Sequence, residues 1–324
     1  MLESSEITND EVEIIYDLVY SVQNEKELLA DLYIPKNSQS PVPVIIWLHG
    51  GGWRFGDRKL GPDFSTYFAS RGFAMVSIEY RLSEDAIFPA PIHDVKTAVR
   101  WVKTIAETYS LDSNRIGAWG SSAGGHLAAL ATTSGSDEFI DENPEYPDIS
   151  SEVQAVAIGY GPVDFLQMDE QNEKNGIIEE DLESAQIPTD KKATDPDSFE
   201  SLFIGAPILS CPDRVKAANP ITYIKPGMSL PPFLIMHGLS DTAVPAKQSE
   251  MLYKAIAAEG NDVSLYLIKG LGHGFLNRTN LDDDGPKLAN CHISKDGVET
   301  SNEERAHFIF WTIEQFFVRT LKKF

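Results

Sequence analysis

Two glycine-rich motifs in this chain have the residue types needed for acyl transfer. One is HGGGW at His49–Trp53, and the other is GSSAG at Gly120–Gly124. The second has the G-x-S-x-G pattern of a nucleophile elbow, in which Ser122 stands on a tight turn and glycines remove Cβ atoms that would clash. In the first, glycines allow backbone N–H groups to face an oxygen that becomes negative when an acyl carbonyl is attacked. Together the motifs predict a covalent ester of Ser122.

The segments around these motifs are those that the motifs require. Either motif alone is weak evidence, because glycine-rich turns are common. Arg115–Trp119 predicts a short buried strand and Ala123–Thr133 predicts a helix, which is the strand–turn–helix setting of an elbow. Val42–Leu48 is an apolar run that leads directly into His49. The context therefore favours a catalytic role over a purely structural one.

A serine nucleophile needs a base, and four histidines lie beyond the helix that follows the elbow. His273 lies between two glycines just after the strand-like segment Val263–Ile268, so its ring has room at a loop position. His307 falls on a predicted helix over 303–321, where a packed or solvated histidine is ordinary. His292 lies in a polar loop, and His237 at a strand end is expected to order its loop. His273 is therefore the predicted base.

The acid that orients the base should follow the preceding strand, since the order in α/β-hydrolases is serine, acid, histidine. Pro232–Met236 predicts that strand, and Asp241 lies on the loop after it. The alternative for Asp241 is that it caps the next helix, Ala246–Glu259. Asp241 is the predicted third member of the triad.

The chain resembles α/β-hydrolases of the hormone-sensitive-lipase-like group, especially bacterial esterases that are feruloyl or acetyl-xylan esterase-like. The resemblance covers most of the chain from Ile34 to Phe275. The family often has Asp at the position of Glu79, a difference expected to adjust a structural contact. Besides HGGGW, the matching segments are Glu79–Leu82, Phe88–Ala90, Arg115–Gly125, His237–Pro245 and Gly272–Gly274.

The resemblance implies specific roles for residues of this chain. Ser122, Asp241 and His273 would form the catalytic triad. The backbone N–H groups of Gly51, Gly52 and Ala123 would form the oxyanion hole. The implied reaction is hydrolysis of carboxylic esters, acetyl or feruloyl esters among them, on a small molecule or saccharide, without metal or cofactor.

The pattern of apolar residues predicts a mostly parallel eight-stranded sheet flanked by helices, with an antiparallel edge formed by the first strands. This is the α/β-hydrolase fold, and one catalytic domain is expected over 1–324. The predicted strands are Glu13–Tyr20, Leu28–Tyr33, Val44–Leu48, Ala74–Ile78, Ile116–Trp119, Ala155–Tyr160, Phe233–Met236 and Val263–Ile268. The predicted helices are Phe64–Arg71, Ile92–Thr108, Ala123–Thr133, Lys247–Glu259 and Glu304–Leu321.

Residues 162–231 interrupt this alternation and predict a cap over the carboxyl edge of the sheet, with a surface excursion as the alternative. Phe165, Phe199 and Phe203 are expected to enclose an apolar acyl pocket beside Trp53, so short acyl chains should be preferred. The acidic stretch 167–192 and a second insertion, 277–302, lack a clear family pattern and are expected to influence substrate choice.

The composition and the N-terminal sequence bear on binding partners and cellular location. The formal charge of −22 over 324 residues opposes binding to nucleic acid or to anionic membranes. Cys211 and Cys291 are expected to be free thiols in a reducing compartment. The N-terminus lacks the pattern of a signal peptide and no segment is long enough to span a bilayer, so a cytoplasmic location is predicted. The sequence predicts no particular oligomeric state.

Two other functions are compatible with parts of this pattern. An arylformamidase or other amidase could use the same triad, and turnover of N-formylkynurenine would distinguish it from an esterase. A catalytically silent binding protein on the same fold would be expected to lack a triad member. A calcium loop at Asp282–Gly285 is unsupported, because Cys291 falls where the bidentate glutamate should be.

Overall fold

A ten-stranded mixed sheet forms the centre of the computed structural model, which describes residues 11–36, 38, 41–135, 137, 139–141, 145–174 and 192–322. The strands are β1 (Val12–Gln23), β2 (Lys26–Pro35), β3 (Val42–Leu48), β4 (Ala74–Ile78), β5 (Leu111–Ser121), β6 (Ala155–Gly159), β7 (Phe233–Gly238), β8 (Val263–Ile268), β9 (Lys287–Lys295) and β10 (Val298–His307). Their order is β1-β2-β4-β3-β5-β6-β7-β8-β9-β10. The strands from β4 to β8 run parallel, and both edges are antiparallel.

Helices cover both faces of this sheet. They are α1 (Phe64–Tyr67), α2 (Ala90–Ile105), α3 (Ala123–Thr133), α4 (Met168–Lys174), α5 (Phe199–Ile204), α6 (Pro212–Ala217), α7 (Lys247–Ala258) and α8 (Ile309–Leu321). Alternate residues of β3 enter opposite layers, since Ile46 packs in one apolar cluster and Trp47 in the other. Every residue of β3 is buried, as expected for a parallel strand covered on both faces.

The helix α8 packs closely on the elbow strand. A Cβ placed on Gly117 of β5 would lie 2.6 Å from the ring of Phe317, so this strand needs a glycine where the helix crosses it. The predicted strands and helices are all present, with ends shifted by a few residues. The predicted helix Phe64–Arg71 divides into α1 and a 3₁₀ turn at Ala69–Arg71.

The predicted number of eight strands is wrong, because β9 and β10 form a hairpin that begins in the segment predicted as a second insertion, 277–302, and runs beyond it. Asp296 and Gly297 both have positive φ, which is the turn geometry that asparagine–glycine and aspartate–glycine pairs provide for two-residue hairpins. The hairpin extends to His307, so α8 begins at Ile309. The prediction of a helix starting at residue 303 or 304, with His307 on it, is therefore also wrong.

The region predicted as a cap contains α4, α5, α6 and three 3₁₀ turns among its described residues. Most of the acidic stretch 167–192, namely 175–191, lies outside the described residues. The described residues on the two sides of 175–191 are in contact, because the carboxylate of Asp169 accepts hydrogen bonds from Ala193 N (2.7 Å) and Thr194 N (3.2 Å). Ser198 then caps α5 by accepting a hydrogen bond from Ser201 N.

No helix among the described residues is both long enough and apolar enough to cross a bilayer. Cys211 and Cys291 are free thiols. Cys291 is buried in the hairpin, and its Sγ lies 3.4 Å from Nε2 of His307.

Candidate active site

Ser122 stands on a strained turn between β5 and α3. Its φ of 51° and ψ of −120° lie in a region that non-glycine residues seldom occupy. A Cβ on Gly124 would lie 2.0 Å from the carbonyl oxygen of Leu48, and one on Gly120 would lie 2.3 Å from that of Gly124. Glycines are therefore required on both sides of the serine, as the motif predicts. Ser122 N donates to Gly159 O at 2.8 Å, which holds the turn against β6.

The structure brings the three predicted triad residues together in one hydrogen-bonded chain. Ser122 Oγ lies 2.8 Å from Nε2 of His273, and Nδ1 of His273 lies 2.7 Å from Oδ2 of Asp241. Because the carboxylate only accepts, Nδ1 of the neutral ring carries the proton, and Nε2 is left to accept from the serine hydroxyl. Ser122 is 9% exposed, His273 6% and Asp241 0%, so Asp241 is sealed from solvent while Ser122 and His273 keep a small exposed area.

Asp241 is fixed by its own loop. Its Oδ1 accepts hydrogen bonds from the N–H groups of Ala243 and Val244, both at 2.9 Å. The alternative that it caps the next helix is wrong, because α7 begins only at Lys247. Burial by itself would raise the pKa of Asp241, but the positive charge that His273 carries when protonated, together with hydrogen bonds from His237 and His273, holds it well below its ordinary value. The carboxyl is thus ionised at neutral pH.

The HGGGW loop lies directly against the elbow. A Cβ on Gly50 would be 3.3 Å from that of Ser122. Gly51 and Gly52 have positive φ values of 112° and 60°, which turn the chain sharply. Among the described residues, no oxygen accepts the N–H groups of Gly51, Gly52 or Ala123. These three N–H groups therefore have no acceptor among the described residues, which is what donors to an oxyanion require.

The side chain of His49 supports the backbone of this loop. Its Nδ1 lies 2.6 Å from Gly50 O, and its ring stacks on Tyr80 with centroids 4.4 Å apart. The hydroxyl of Tyr80 donates to His49 O at 2.8 Å. Burial lowers the pKa of His49 to about 4, so the ring is neutral and donates from Nδ1. His49 thus acts as a support for the loop backbone.

The four predicted pocket residues separate into two groups. Trp53, Phe165 and Phe203 are at most 1% exposed and pack on one another, with the rings of Trp53 and Phe203 stacked at 4.5 Å. In this conformation they offer a ligand almost no surface, because each ring is covered by the others and by His126. Phe199 is half-buried and covers Gly52, so it is the predicted pocket residue that remains beside the loop.

Sequence reasoning missed one residue that touches the triad. Tyr160 follows β6 and its ring packs edge-on against His273, with centroids 4.7 Å apart. Its hydroxyl accepts a hydrogen bond from Leu276 N at 3.2 Å. The available signal was its position, immediately after a central strand at the same sheet edge as Ser122. His292 and His307 lie on the β9–β10 hairpin and do not contact the triad.

The part of the chain that the structure describes contains no group of three or more His, Cys, Asp or Glu side chains arranged to hold a metal ion. The site is built from a hydroxyl, an imidazole, a carboxylate and backbone donors. Such a set can transfer a proton, attack a carbonyl and hold an oxyanion.

Proteins with related sequences and structures carry esterase names. Esterase LipC of Mycobacterium tuberculosis is 32% identical over 238 residues, which is 72% of this chain and 53% of LipC. This chain spans about half the length of the curated relatives it matches. A truncated carbohydrate esterase from gut microbiota superimposes with a TM-score of 0.74 at 25% identity, covering 97% of this chain and 99% of that one. The native esterase of Thermogutta terrifontis gives 0.63 at 26% identity, covering 85% and 87%.

These solved structures confirm the predicted α/β-hydrolase fold. The sequence model of the BD-FAE family matches residues 30–256. That range includes the HGGGW loop, the elbow and Asp241, and it covers more than half of the chain. The chain therefore belongs to the BD-FAE family of hormone-sensitive-lipase-like α/β-hydrolases.

Proposed function

We propose that this protein is a serine carboxylesterase that hydrolyses short-acyl esters of small-molecule or saccharide alcohols. The observation that carries the proposal is the hydrogen-bonded chain from Asp241 through His273 to Ser122. These three side chains lie beside three backbone N–H groups that have no hydrogen-bond acceptor among the described residues. This combination supports attack on an acyl carbonyl rather than ligand binding alone.

The reaction follows from these contacts. The Ser122 hydroxyl gives its proton to Nε2 of His273 while Oγ attacks the ester carbonyl. The carbonyl oxygen becomes negative and accepts hydrogen bonds from the N–H groups of the HGGGW loop and Ala123. When the intermediate collapses, the alcohol leaves with the proton from His273 and the acyl group stays on Ser122. Water then attacks that ester by the same route, and the acid product and free serine are restored.

Asp241 has an orienting role in this proposal. Its ionised carboxylate fixes the Nδ1–H tautomer of His273 and stabilises the imidazolium that forms during attack. Tyr160 packs against the ring of His273 and limits its rotation. The low exposure of all three triad residues keeps water from competing for their hydrogen bonds.

Short acyl groups fit the packed surroundings of the site. Each methylene gains about 0.8 kcal/mol only while it can be buried. Trp53, Phe165 and Phe203 already fill the space behind the loop, so longer chains would remain in water or clash. The Thermogutta terrifontis esterase has been solved with propionate and with butyrate bound, at 26% identity to this chain. The gut carbohydrate esterase supports a saccharide as the alcohol.

The proposal is tested with p-nitrophenyl esters from acetate to palmitate, together with acetylated xylan, methyl ferulate and N-formylkynurenine. We expect the highest kcat/KM for acyl chains of roughly two to six carbons. The Ser122→Ala protein serves as the control for non-enzymatic hydrolysis. Preferred turnover of N-formylkynurenine would establish the amidase alternative, and faster turnover of palmitate than of butyrate would contradict the preference for short acyl groups.

A further inference from the structure

A second histidine contacts the same carboxylate oxygen as His273. The Nε2 atom of His237 lies 3.2 Å from Oδ2 of Asp241, whereas Nδ1 of His273 lies 2.7 Å from it. His237 and Asp241 are both 0% exposed. We infer that His237 is a positioning residue that holds this oxygen and shares its negative charge with His273. The inference rests on the proposed function, in which Asp241 orients the base.

The partners of His237 fix where its proton lies. Its Nε2 faces two acceptors, since Val244 O lies 2.9 Å away in addition to the carboxylate, so Nε2 must carry hydrogen. Its Nδ1 lies 2.7 Å from Oγ of Ser249, whose hydroxyl donates to it. The ring therefore connects α7 to the loop that carries Asp241.

This contact also ties the carboxylate to the sheet. His237 belongs to β7 and pairs with Leu267 of β8, so its backbone is held by the ladder. Asp241 stands on a loop, but its Oδ1 is bonded by two N–H groups and its Oδ2 by two rings. The position of Oδ2 relative to the sheet thus depends on His237 as well as on the loop.

Sharing one oxygen between two donors has an electrostatic consequence. A hydrogen bond from His237 withdraws charge from Oδ2 and weakens its stabilisation of the imidazolium of His273. The titratable groups around this oxygen are His237, His273 and Tyr160. Burial raises the pKa of Tyr160 far above its ordinary value, so it stays neutral. Loss of the His237 donor should therefore favour protonated His273 and move the acid-side fall of activity to higher pH.

Three substitutions separate this role from simple core packing. His237→Phe keeps an aromatic ring but removes all three hydrogen bonds of the imidazole. His237→Gln places an amide N–H where Nε2 stood and keeps the donor to Asp241. Ser249→Ala leaves His237 in place and removes only the hydroxyl that supports its tautomer. His307→Phe, on the β9–β10 hairpin, is the matched control for replacing a histidine outside the site.

The experiment measures kcat and KM for p-nitrophenyl acetate from pH 5 to 9, with thermal unfolding of each variant. We expect His237→Phe to lower kcat by about 10-fold with KM nearly unchanged, and to raise the acid-side midpoint by about 0.5–1 pH unit. His237→Gln should retain kcat within about threefold. Ser249→Ala should shift the midpoint in the same direction by a smaller amount. His307→Phe should leave the profile unchanged.

A folded His237→Phe protein with an unshifted midpoint would overturn the inference, as would a His237→Gln protein as impaired as His237→Phe. If His237→Phe does not fold, Ser249→Ala decides, and an unshifted midpoint then overturns the inference. NMR titration of the His273 imidazole in the same proteins gives the midpoint without ester turnover. Failure of the proposed function would appear as absent hydrolysis by the wild type, while failure of this inference would appear as identical titrations.

Discussion

The ring of Phe199 lies over the face of Gly52 on which a side chain would begin. A Cβ built on Gly52 would be 2.7 Å from Cγ of Phe199 and 3.0 Å from two further ring atoms. Phe199 is the first residue of α5, and Phe55 packs edge-on against it at 6.0 Å. The segment predicted as a cap is therefore in direct contact with the loop proposed to hold the oxyanion.

This contact predicts that Gly52→Ala lowers kcat by about 10²–10³, because the added methyl displaces either Phe199 or the proposed oxyanion donors. Gly135→Ala is the matched control, since Gly135 has a similar φ of 53° and a Cβ added there would meet nothing within 4 Å. Both variants bear the same backbone cost of about 1 kcal/mol. Equal kcat for the two proteins would contradict the role of the contact. The measurement is steady-state hydrolysis of p-nitrophenyl acetate.

Replacing Ser122 by alanine removes the atom proposed to attack the ester. We expect kcat to fall by about 10⁴–10⁶, with folding preserved because, among the described residues, Oγ is bonded only to His273. Loss of phosphorylation by diisopropyl fluorophosphate, followed by mass spectrometry, checks the same atom. A variant that retained more than about a tenth of wild-type activity would rule out Ser122 as the nucleophile.

The Asp241→Asn substitution tests the tautomer of the base. The amide nitrogen of asparagine would face Nδ1 of His273, and two donors cannot bond, so the ring would place its proton on Nε2 and lose the ability to accept from Ser122. We expect kcat to fall by about 10³–10⁴ with KM little changed. The neighbouring exposed Thr242→Ala is the control. An unimpaired Asp241→Asn protein would mean that another carboxylate orients His273.

Glu200 should make stability depend on pH. This carboxyl lies on α5, and burial, with a smaller effect of Asp169, raises its pKa to about 7. The stabilisation that results from this raised pKa is fully present below the pKa of the unfolded chain, about 4.3. It is lost as pH rises through the pKa of the folded protein, about 7. Between pH 5 and 8 the wild type should lose about 3 kcal/mol of unfolding free energy relative to Glu200→Gln.

Urea denaturation at the two pH values measures this difference. The exposed Glu107→Gln protein controls for changes in net charge, and it should follow the wild type at both pH values. Parallel stability profiles for wild type and Glu200→Gln would show that Glu200 is ionised in the folded protein.

The central strands and the elbow were predictable because their signals are local. A parallel strand covered on both faces, such as β3, is a continuous apolar run, and the glycines around Ser122 follow from clashes within a few residues. The pairing of Asp241 with His273 was predictable from strand order, since both follow neighbouring strands at one sheet edge. Glu79 also makes the structural contact expected of it, an ion pair with Arg58.

The β9–β10 hairpin was missed for the opposite reason. Its strands lie at a sheet edge and are only partly buried, so they show weak alternation, and Leu288 is 46% exposed. The turn at Asp296 and Gly297 was the one clear signal. Likewise, an aromatic residue in the sequence predicts that its side chain is buried, but it does not predict which neighbour the ring faces. Trp53 and Phe203 could face a ligand or each other, and only tertiary packing decides that they stack.

The order of strands has a consequence for how activity arises during folding. Ser122 and His273 are 151 residues apart in sequence, and β6 and β7 lie between their strands in the sheet. Their hydrogen bond therefore forms only after β5, β6, β7 and β8 have paired. It is a long-range contact that forms late in folding. Recovery of hydrolysis after dilution from denaturant would then time the completion of the native sheet, and not the first collapse of the chain.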